Sequence, residues 1–315
     1  MKRTLIPAVA LFLTGCQGFF DLAPRPTSFD EDLARTMTCY VYFRQDPITP
    51  EAVTQIQAAA QMPNAACKAV LGLLYENGRG LPQDYPKAKA LYQDAAALAP
   101  AFYSQLGRMA EEGIGEPVDY VAARRYYEQA SKVAGETQAP LRLASLMEQG
   151  KGGPKNPQGA LSLYLQQPAD YLQQPEDTLE ALSGIQRLRM GGLALSAEQA
   201  KRYNALWVRG VSTGLRHHLS MMYPALPEEL KTAPDAPWVN VQLEYTVGSL
   251  VPQVSILESS GKAVFDRMVL QQLNSFRFPA DPILAEGQNT VKVATKVVLP
   301  KSTTANAARR GRELK

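Results

Sequence analysis

Residues 71–96 read LGLLYENGRGLPQDYPKAKALYQDAA, and residues 106–131 read LGRMAEEGIGEPVDYVAARRYYEQAS. Gly72, Gly78, Gly80, Asp84, Tyr85, Ala88, Tyr92 and Ala95 return 35 positions later as Gly107, Gly113, Gly115, Asp119, Tyr120, Ala123, Tyr127 and Ala130. A period of this size marks one supersecondary unit stacked on copies of itself, which makes a binding surface more readily than an active site. Each repeated residue suits one step of a helix-turn-helix. Val70, Leu73 and Leu74 have helical spacing over 69–77, and Gly78 stands where a left-handed residue ends that helix. Gly80 permits a tight turn, Asp84 caps a second helix, and Ala88, Leu91, Tyr92 and Ala95 form one face of it. Small Ala88 lets the two helices approach, and large Tyr92 fills the groove beside them.

The pattern continues with decay in both directions. Gly150 and Gly152 repeat the glycine pair, Asn156 replaces the aspartate cap with Pro157 in the first turn, and Ala160 and Tyr164 repeat the small and aromatic positions. A degenerate fourth unit keeps Gly184 and Gly192, takes Ser196 and Gln199 as a capping box, and places Ala200 at the small position. Towards the N-terminus, 32–44 and 51–61 predict two helices broken at Asp46 and Pro47, an N-terminal cap.

The pattern Ala69-x-x-Gly72-x-x-Tyr75-x-x-Gly78-x-Gly80-x-x-x-Asp84-x-x-x-Ala88-x-x-x-Tyr92-x-x-Ala95-Ala96 resembles the Sel-one-like repeat, a relative of the tetratricopeptide repeat (TPR). The resemblance covers roughly residues 30–213. It implies a right-handed solenoid that holds other proteins, often in the bacterial envelope.

Lys2 and Arg3 precede an apolar run, Leu5 to Leu13, too short for a permanent membrane span, which ends in Leu13-Thr14-Gly15-Cys16. The tetrapeptide resembles a lipobox. That implies cleavage before Cys16, lipidation of its thiol, and, with Gln17 following, an outer-membrane anchor facing the periplasm of a Gram-negative cell. An ordinary secretory signal with a chance cysteine is the plainer alternative. Export to an oxidising compartment leaves Cys39 and Cys67 as an even pair, with a disulfide as the default and two buried thiols as the alternative.

Of 315 residues, 45% are hydrophobic and 20% charged, which suits a folded chain of more than one compact unit. Removing Lys2 and Arg3 reduces the net charge from +3 to +1, so no general attraction to nucleic acid follows. Beyond Met222 the period changes. A stretch containing Pro224, Pro227 and Pro234 reads as a linker with a short helix at 228–231. Val239, Val241, Leu243, Tyr245 and Val247 then alternate with polar residues, Gly248-Ser249 turns the chain, and 251–257 forms a second strand. Ser259-Ser260-Gly261 opens a helix bearing Phe265, Met268, Val269, Gln272 and Phe276, and Val291, Val293, Thr295 and Val297 mark a third strand. This order predicts a small α+β unit with the helix over one face of an antiparallel sheet.

Val241-x-Leu243-x-Tyr245-x-Val247-Gly248, Val254-x-Ile256-x-x-Ser259-Ser260-Gly261, Phe265-Asp266 and Phe276-x-Phe278-Pro279 resemble the C-terminal domain of TonB. That resemblance implies a module that pairs an exposed strand with an extended peptide or touches peptidoglycan. The chain departs from TonB in having no long Pro-Lys/Pro-Glu spacer and no transmembrane helix, so energy transduction is not implied. The expected organisation is multidomain, an all-α solenoid followed by this α+β domain. The signal peptide would occupy 1–15, a tether 16–29, the solenoid 30–220, a proline-rich linker 221–237, the TonB-like domain 238–300, and a disordered basic tail with Arg309, Arg310 and Arg312 residues 301–315.

Little catalytic chemistry is legible, and no cofactor, metal or catalytic residue is expected. His217 and His218 are adjacent on a helix, so their side chains diverge and cannot share a metal. Ser259 and Ser260 are read as caps, and Glu111-Glu112 and Glu228-Glu229 as solvated charge. Gly78-x-Gly80 lacks the lysine and preceding strand of a phosphate loop. The functional expectation is an envelope scaffold or adaptor. An envelope hydrolase, β-lactamase-like or acting on peptidoglycan, is the alternative from another class, although relatives associated with such activity carry cysteine pairs inside each hairpin and this chain does not. Assembly of an exopolysaccharide secretion machine is a narrower version of the adaptor reading.

Overall fold

The computed structural model describes residues 28–166, 175–221, 223–231, 237–249, 251–284 and 287–298. The signal segment, Cys16, most of the tether and the basic tail lie outside them. Ten helices pair into antiparallel hairpins: α1 (Ser28–Phe43) with α2 (Pro50–Ala60), α3 (Ala65–Asn77) with α4 (Tyr85–Leu98), α5 (Tyr103–Glu112) with α6 (Tyr120–Ala130), α7 (Gln138–Gln149) with α8 (Pro157–Leu165), and α9 (Pro175–Met190) with α10 (Ala197–Ser220). Each hairpin packs on the next, so the described helices form a repeat solenoid.

The turns are copies of one another in hydrogen-bond detail. Gly78, Gly113 and Gly150 end α3, α5 and α7 in the left-handed region, with φ of 63, 71 and 76°. Beyond each, a further N–H returns to the helix: Arg79 to Leu74 O, Ile114 to Met109 O and Lys151 to Leu146 O. Asp84, Asp119 and Asn156 accept the N–H of Lys87, Ala122 and Gly159 at 3.0, 2.9 and 2.8 Å. Their own N–H groups donate back to Tyr75, Ala110 and Met147 O, which closes each hairpin.

The second glycine of each turn registers one repeat on the previous one. Gly80, Gly115 and Gly152 have φ between 70 and 76°. A Cβ on Gly115 would stand 2.4 Å from Tyr85 Cβ, and one on Gly152 would stand 2.1 Å from the Tyr120 carbonyl oxygen. Only glycine satisfies both the backbone conformation and the approach. The helix predicted from residue 69 begins at Ala65 instead, because the side chain of buried Asn64 accepts the Cys67 N–H at 2.7 Å. Asn64 also donates to Asp32 and Thr36, tying α1 to α3. Beside it, Cys39 and Cys67 form a disulfide with Cα atoms 5.5 Å apart.

The C-terminal part has the expected strand, strand, helix, strand order: β1 (Trp238–Thr246), β2 (Gln253–Glu258), α12 (Ala263–Asn274) and β3 (Thr290–Val298). The sheet is antiparallel in the order β2-β1-β3, with Val241 opposite Ile256 on one side and Thr295 on the other. Val239, Val241, Leu243 and Tyr245 are buried on one face with Phe265, Val269 and Leu273 of α12. Phe276 is not on the helix, which ends at Asn274, although its ring is buried beside it.

This unit shares a hydrophobic core with the last repeats. One cluster runs from Leu141 and Tyr164 through Trp207 and Val211 to Val241, Phe278 and Val297. The proline-rich stretch contains a 3-10 turn at Tyr223–Ala225 and a short helix α11 at Glu228–Lys231, and its Leu226 and Leu230 are buried in the same cluster. The fourth repeat departs from the predicted pattern for the same reason. Ala200 is only half-buried, and the close-packed small residue is Gly210, where a Cβ would lie 2.7 Å from the Phe278 ring.

Two stability outcomes follow. Gly152→Ala should lower stability by about 3 kcal/mol or more, combining left-handed strain with a backbone clash. Gly135→Ala, with φ of 84° but nothing within 4 Å of the new Cβ, should cost only about 1 kcal/mol; urea denaturation compares the two. Replacing both Cys39 and Cys67 by Ser should remove about 3 kcal/mol, because the bridge closes a 28-residue separation, read as a lower urea midpoint.

Candidate functional site

The repeated positions are occupied by internal packing. Ala88, Ala123 and Ala160 are fully buried, as are the rings of Tyr92, Tyr127 and Tyr164. Tyr92 lies on Gly72 and Tyr127 on Gly107, where an added Cβ would come within 2.7 and 2.6 Å of the ring. Tyr164 instead packs on Gly184 of the following repeat. Each hydroxyl donates to a carboxylate sixteen residues earlier: Tyr92 to Glu76 at 2.8 Å, Tyr127 to Glu111 at 2.8 Å and Tyr164 to Glu148 at 2.9 Å.

Arginines of the next repeat complete the arrangement. Arg108 Nη2 lies 2.7 Å from Glu76, and Arg187 Nε lies 2.8 Å from Glu148. Arg142 stands close enough to Tyr127 for its charge to act on it. Burial, and then the adjacent glutamate, pushes the tyrosine hydroxyls well above their ordinary range, so they remain protonated donors. At Arg108 burial opposes the charge, but Glu76 outweighs it and the guanidinium is held more firmly protonated. Glu111 is therefore a half-buried acceptor and not solvated charge as expected, whereas Glu112, Glu228 and Glu229 are exposed. The signal missed in the sequence is the constant spacing of sixteen from Glu to Tyr.

The junction between α10 and the sheet unit is polar at its rim and aromatic at its centre. Trp207 meets Tyr245 and Phe278 edge-on, with centroids 5.0 and 6.1 Å apart. Its Nε1 donates to Ala280 O at 2.6 Å, Tyr203 Oη donates to Asp281 O at 2.8 Å, and Asn204 exchanges hydrogen bonds with the backbone of Ile283. His218 sits at the end of α10 within 3.0 Å of Gln272 O on α12, while His217 is exposed. The pair thus diverges, and no cluster suited to a metal occurs among the described residues.

Ser259 and Ser260 do not cap α12, which begins after Lys262 without a side-chain cap. Their hydroxyls donate to the two oxygens of buried Asp266 at 2.6 Å each, pinning the loop between β2 and α12. With the hydroxyls directed at a carboxylate and no histidine beside them, neither serine is set up as a nucleophile.

The accessible features are surfaces. β3 and β2 are the outer strands of the sheet, and β3 presents nine residues with Lys292 and Lys296 exposed. Lys296 Nζ lies 3.8 Å from the centre of the Trp238 ring, and Lys292 lies 3.6 Å from Glu244. Open depressions of about 380 and 340 Å³ lie beside the α9–α10 turn, lined by Arg189, Leu193, Leu195 and Ile283, and beside the α2–α3 turn, crossed by the Lys68–Asp94 pair. No described helix is long and apolar enough to cross a membrane.

The family model described as the Sel1 repeat matches residues 65–99, 100–132 and 138–166, the three hairpins α3–α4, α5–α6 and α7–α8. Among solved structures, a Sel1 repeat protein from Oxalobacter formigenes is 21% identical, covering 63% of this chain and 82% of its own, with a TM-score of 0.45. A protective antigen of uropathogenic Escherichia coli strains with an SLR fold is 18% identical with a TM-score of 0.39. The match covers 63% of this chain and 50% of the antigen. No curated protein matches.

At Asp266, burial disfavours the charge, but the hydrogen bonds from Ser259 and Ser260 prevail and hold the carboxyl below its ordinary value of 3.8. A depressed carboxyl stabilises the fold above its unfolded pKa, and that contribution disappears as pH falls through the lower folded value. Asp266→Asn should therefore flatten the loss of stability below pH 3.8, measured by urea denaturation across acid pH.

Proposed function

We propose that this chain is an envelope adaptor: a lipid-anchored periplasmic protein whose solenoid holds one protein partner and whose C-terminal sheet takes another as an added strand. The observation that carries the reading is the continuous core joining a Sel1-repeat solenoid to a sheet with an outer nine-residue strand. Sel1 repeats are an interaction scaffold, and here the repeated positions are consumed by packing, which leaves recognition to the exposed residues that differ from one repeat to the next.

Strand addition needs a row of backbone donors and acceptors on an outer strand, and among the described residues nothing pairs with the outer side of β3. Its two exposed lysines favour an acidic or neutral extended peptide over a basic one. The TonB-like pattern in the sequence supports this mode. The lipobox-like Leu13-Thr14-Gly15-Cys16 supports an outer-membrane anchor, and the Cys39–Cys67 bridge suits an oxidising compartment.

The reading is tested in cells. Wild-type chain should fractionate with the outer membrane and carry lipid on Cys16, and Cys16→Ser should lose both, read by density fractionation and intact mass. A photo-crosslinking residue at Ala294 on β3 should capture a reproducible envelope partner that an acidic extended peptide displaces. Membrane retention of Cys16→Ser rejects the anchor, and failure to capture any partner from either β3 or the solenoid rejects the adaptor.

A further inference from the structure

The α9–α10 turn departs from the three turns before it at the position where they close. Gly80, Gly115 and Gly152 each stand four residues before a helix cap. A Cβ added at these glycines would lie 2.7 Å from Val53, 2.4 Å from Tyr85 and 2.1 Å from Tyr120, each in the preceding hairpin. Gly192 holds the same place before Ser196, with φ of 92°, and nothing lies within 4 Å of the corresponding point. The seam that is shut in three turns is open in the fourth.

The open depression of about 380 Å³ lies here, walled by Leu193, Leu195 and Ile283, with Gly192 and Ala200 also lining it. Ile283 belongs to the sheet unit and is fixed by two hydrogen bonds with Asn204, at 2.6 and 2.8 Å. The depression therefore exists only where solenoid and sheet unit meet, and its walls are preorganised.

Its chemistry is one-sided, for no carboxylate lines it. Arg189 does, exposed in the last turn of α9, where the earlier repeats place Asn77, Glu112 and Gln149. Its charge reaches the Tyr203 hydroxyl, but it makes no hydrogen bond or ion pair among the described residues. The backbone N–H groups of Ala194 and Leu195 are also unbonded among the described residues, whereas Leu193 and Ser196 donate to Leu188 O and Gln199 Oε1. A guanidinium and two free amide donors beside aliphatic walls are complementary to a carboxylate carried next to an aliphatic group.

We propose that this depression receives the C-terminal residue of a partner protein, its aliphatic side chain against Leu193, Leu195 and Ile283 and its free carboxylate against Arg189. Only at a chain terminus does a carboxylate share a carbon atom with an aliphatic side chain. An internal aspartate or glutamate brings its acid on a different residue, and in an extended segment neighbouring side chains point to opposite faces. Capture of a terminal carboxylate by backbone donors is an established mode of peptide recognition. The volume suits one residue, so this contact supplements others along the solenoid. It names the chemistry of the partner that the solenoid holds, and rests on the adaptor reading for the occupant being a protein.

The test uses full-length chain carrying Cys16→Ser and a fluorescein-labelled peptide, GSGSAL, ending in a free carboxylate. Fluorescence anisotropy should show saturable binding, and amidating the terminus should weaken it about tenfold or more. Ending the peptide in glycine should weaken it about tenfold through the lost aliphatic contact. Arg189→Gln should match the effect of amidation, and the two changes together should cost no more than either alone, because both remove the same pair. Exposed Arg216→Gln should change nothing, and circular dichroism checks that each variant remains folded. Absence of saturable binding, equal affinity for free and amidated peptides, insensitivity to Arg189→Gln, or equal affinity for free isocaproate overturns the inference. Binding is read on purified chain, so such a result, alongside an envelope partner captured in cells, overturns this site and leaves the adaptor reading standing.

Discussion

A tyrosine ring pressed against a glycine is the contact on which the rest of this solenoid depends. Tyr92 on Gly72, Tyr127 on Gly107 and Tyr164 on Gly184 bring helices closer than any side chain on the opposing residue would allow. That approach buries each hydroxyl, and a buried hydroxyl requires a partner. Glu76, Glu111 and Glu148 supply it, and a buried or half-buried carboxylate in turn requires a cation. Arg108 and Arg187 come from the following repeat, so the need created inside one hairpin is met by its neighbour. Polar satisfaction thereby links units that would otherwise interact only by apolar packing.

The same logic ends at α10, where a different aromatic takes over. Trp207 is buried against Tyr245 and Phe278, and its indole N–H is satisfied by a carbonyl of the C-terminal unit. Because the donor and its acceptor belong to different parts of the chain, the sheet unit closes the last repeat. Its apolar face is what the last hairpin, α9–α10, packs against in place of a further hairpin. At the opposite end, Leu33, Met37, Tyr40 and Val41 of α1 are exposed, and among the described residues no element packs over them.

Much of this was legible from residue order. Glycine at positive φ, aspartate or asparagine at a helix start, and alternating valines in strands are local requirements, so Gly78, Asp84, Asn156 and Val241 announce their roles without reference to distant contacts. The misreadings arose where a distant partner changed a local choice. Ser259 and Ser260 resemble caps until Asp266 claims their hydroxyls, Glu111 resembles solvated charge until Tyr127 reaches it, and Pro224 to Lys231 resembles a linker until Leu226 and Leu230 are seen in the core.

Taken alone, the sequence determined the repeat period, the caps and turns, and the change from helical to strand alternation, because each depends on residues within about one turn or one hairpin of each other. The tertiary structure decided that the solenoid and the sheet share one core, that arginines bridge successive repeats, and that α1 keeps an apolar face outward. Those outcomes rest on pairings such as Trp207 with Ala280 and Asn64 with Asp32, separated by 73 and 32 residues. No local propensity encodes which distant surface will be close enough to satisfy a buried polar group, and only the packed chain settles it.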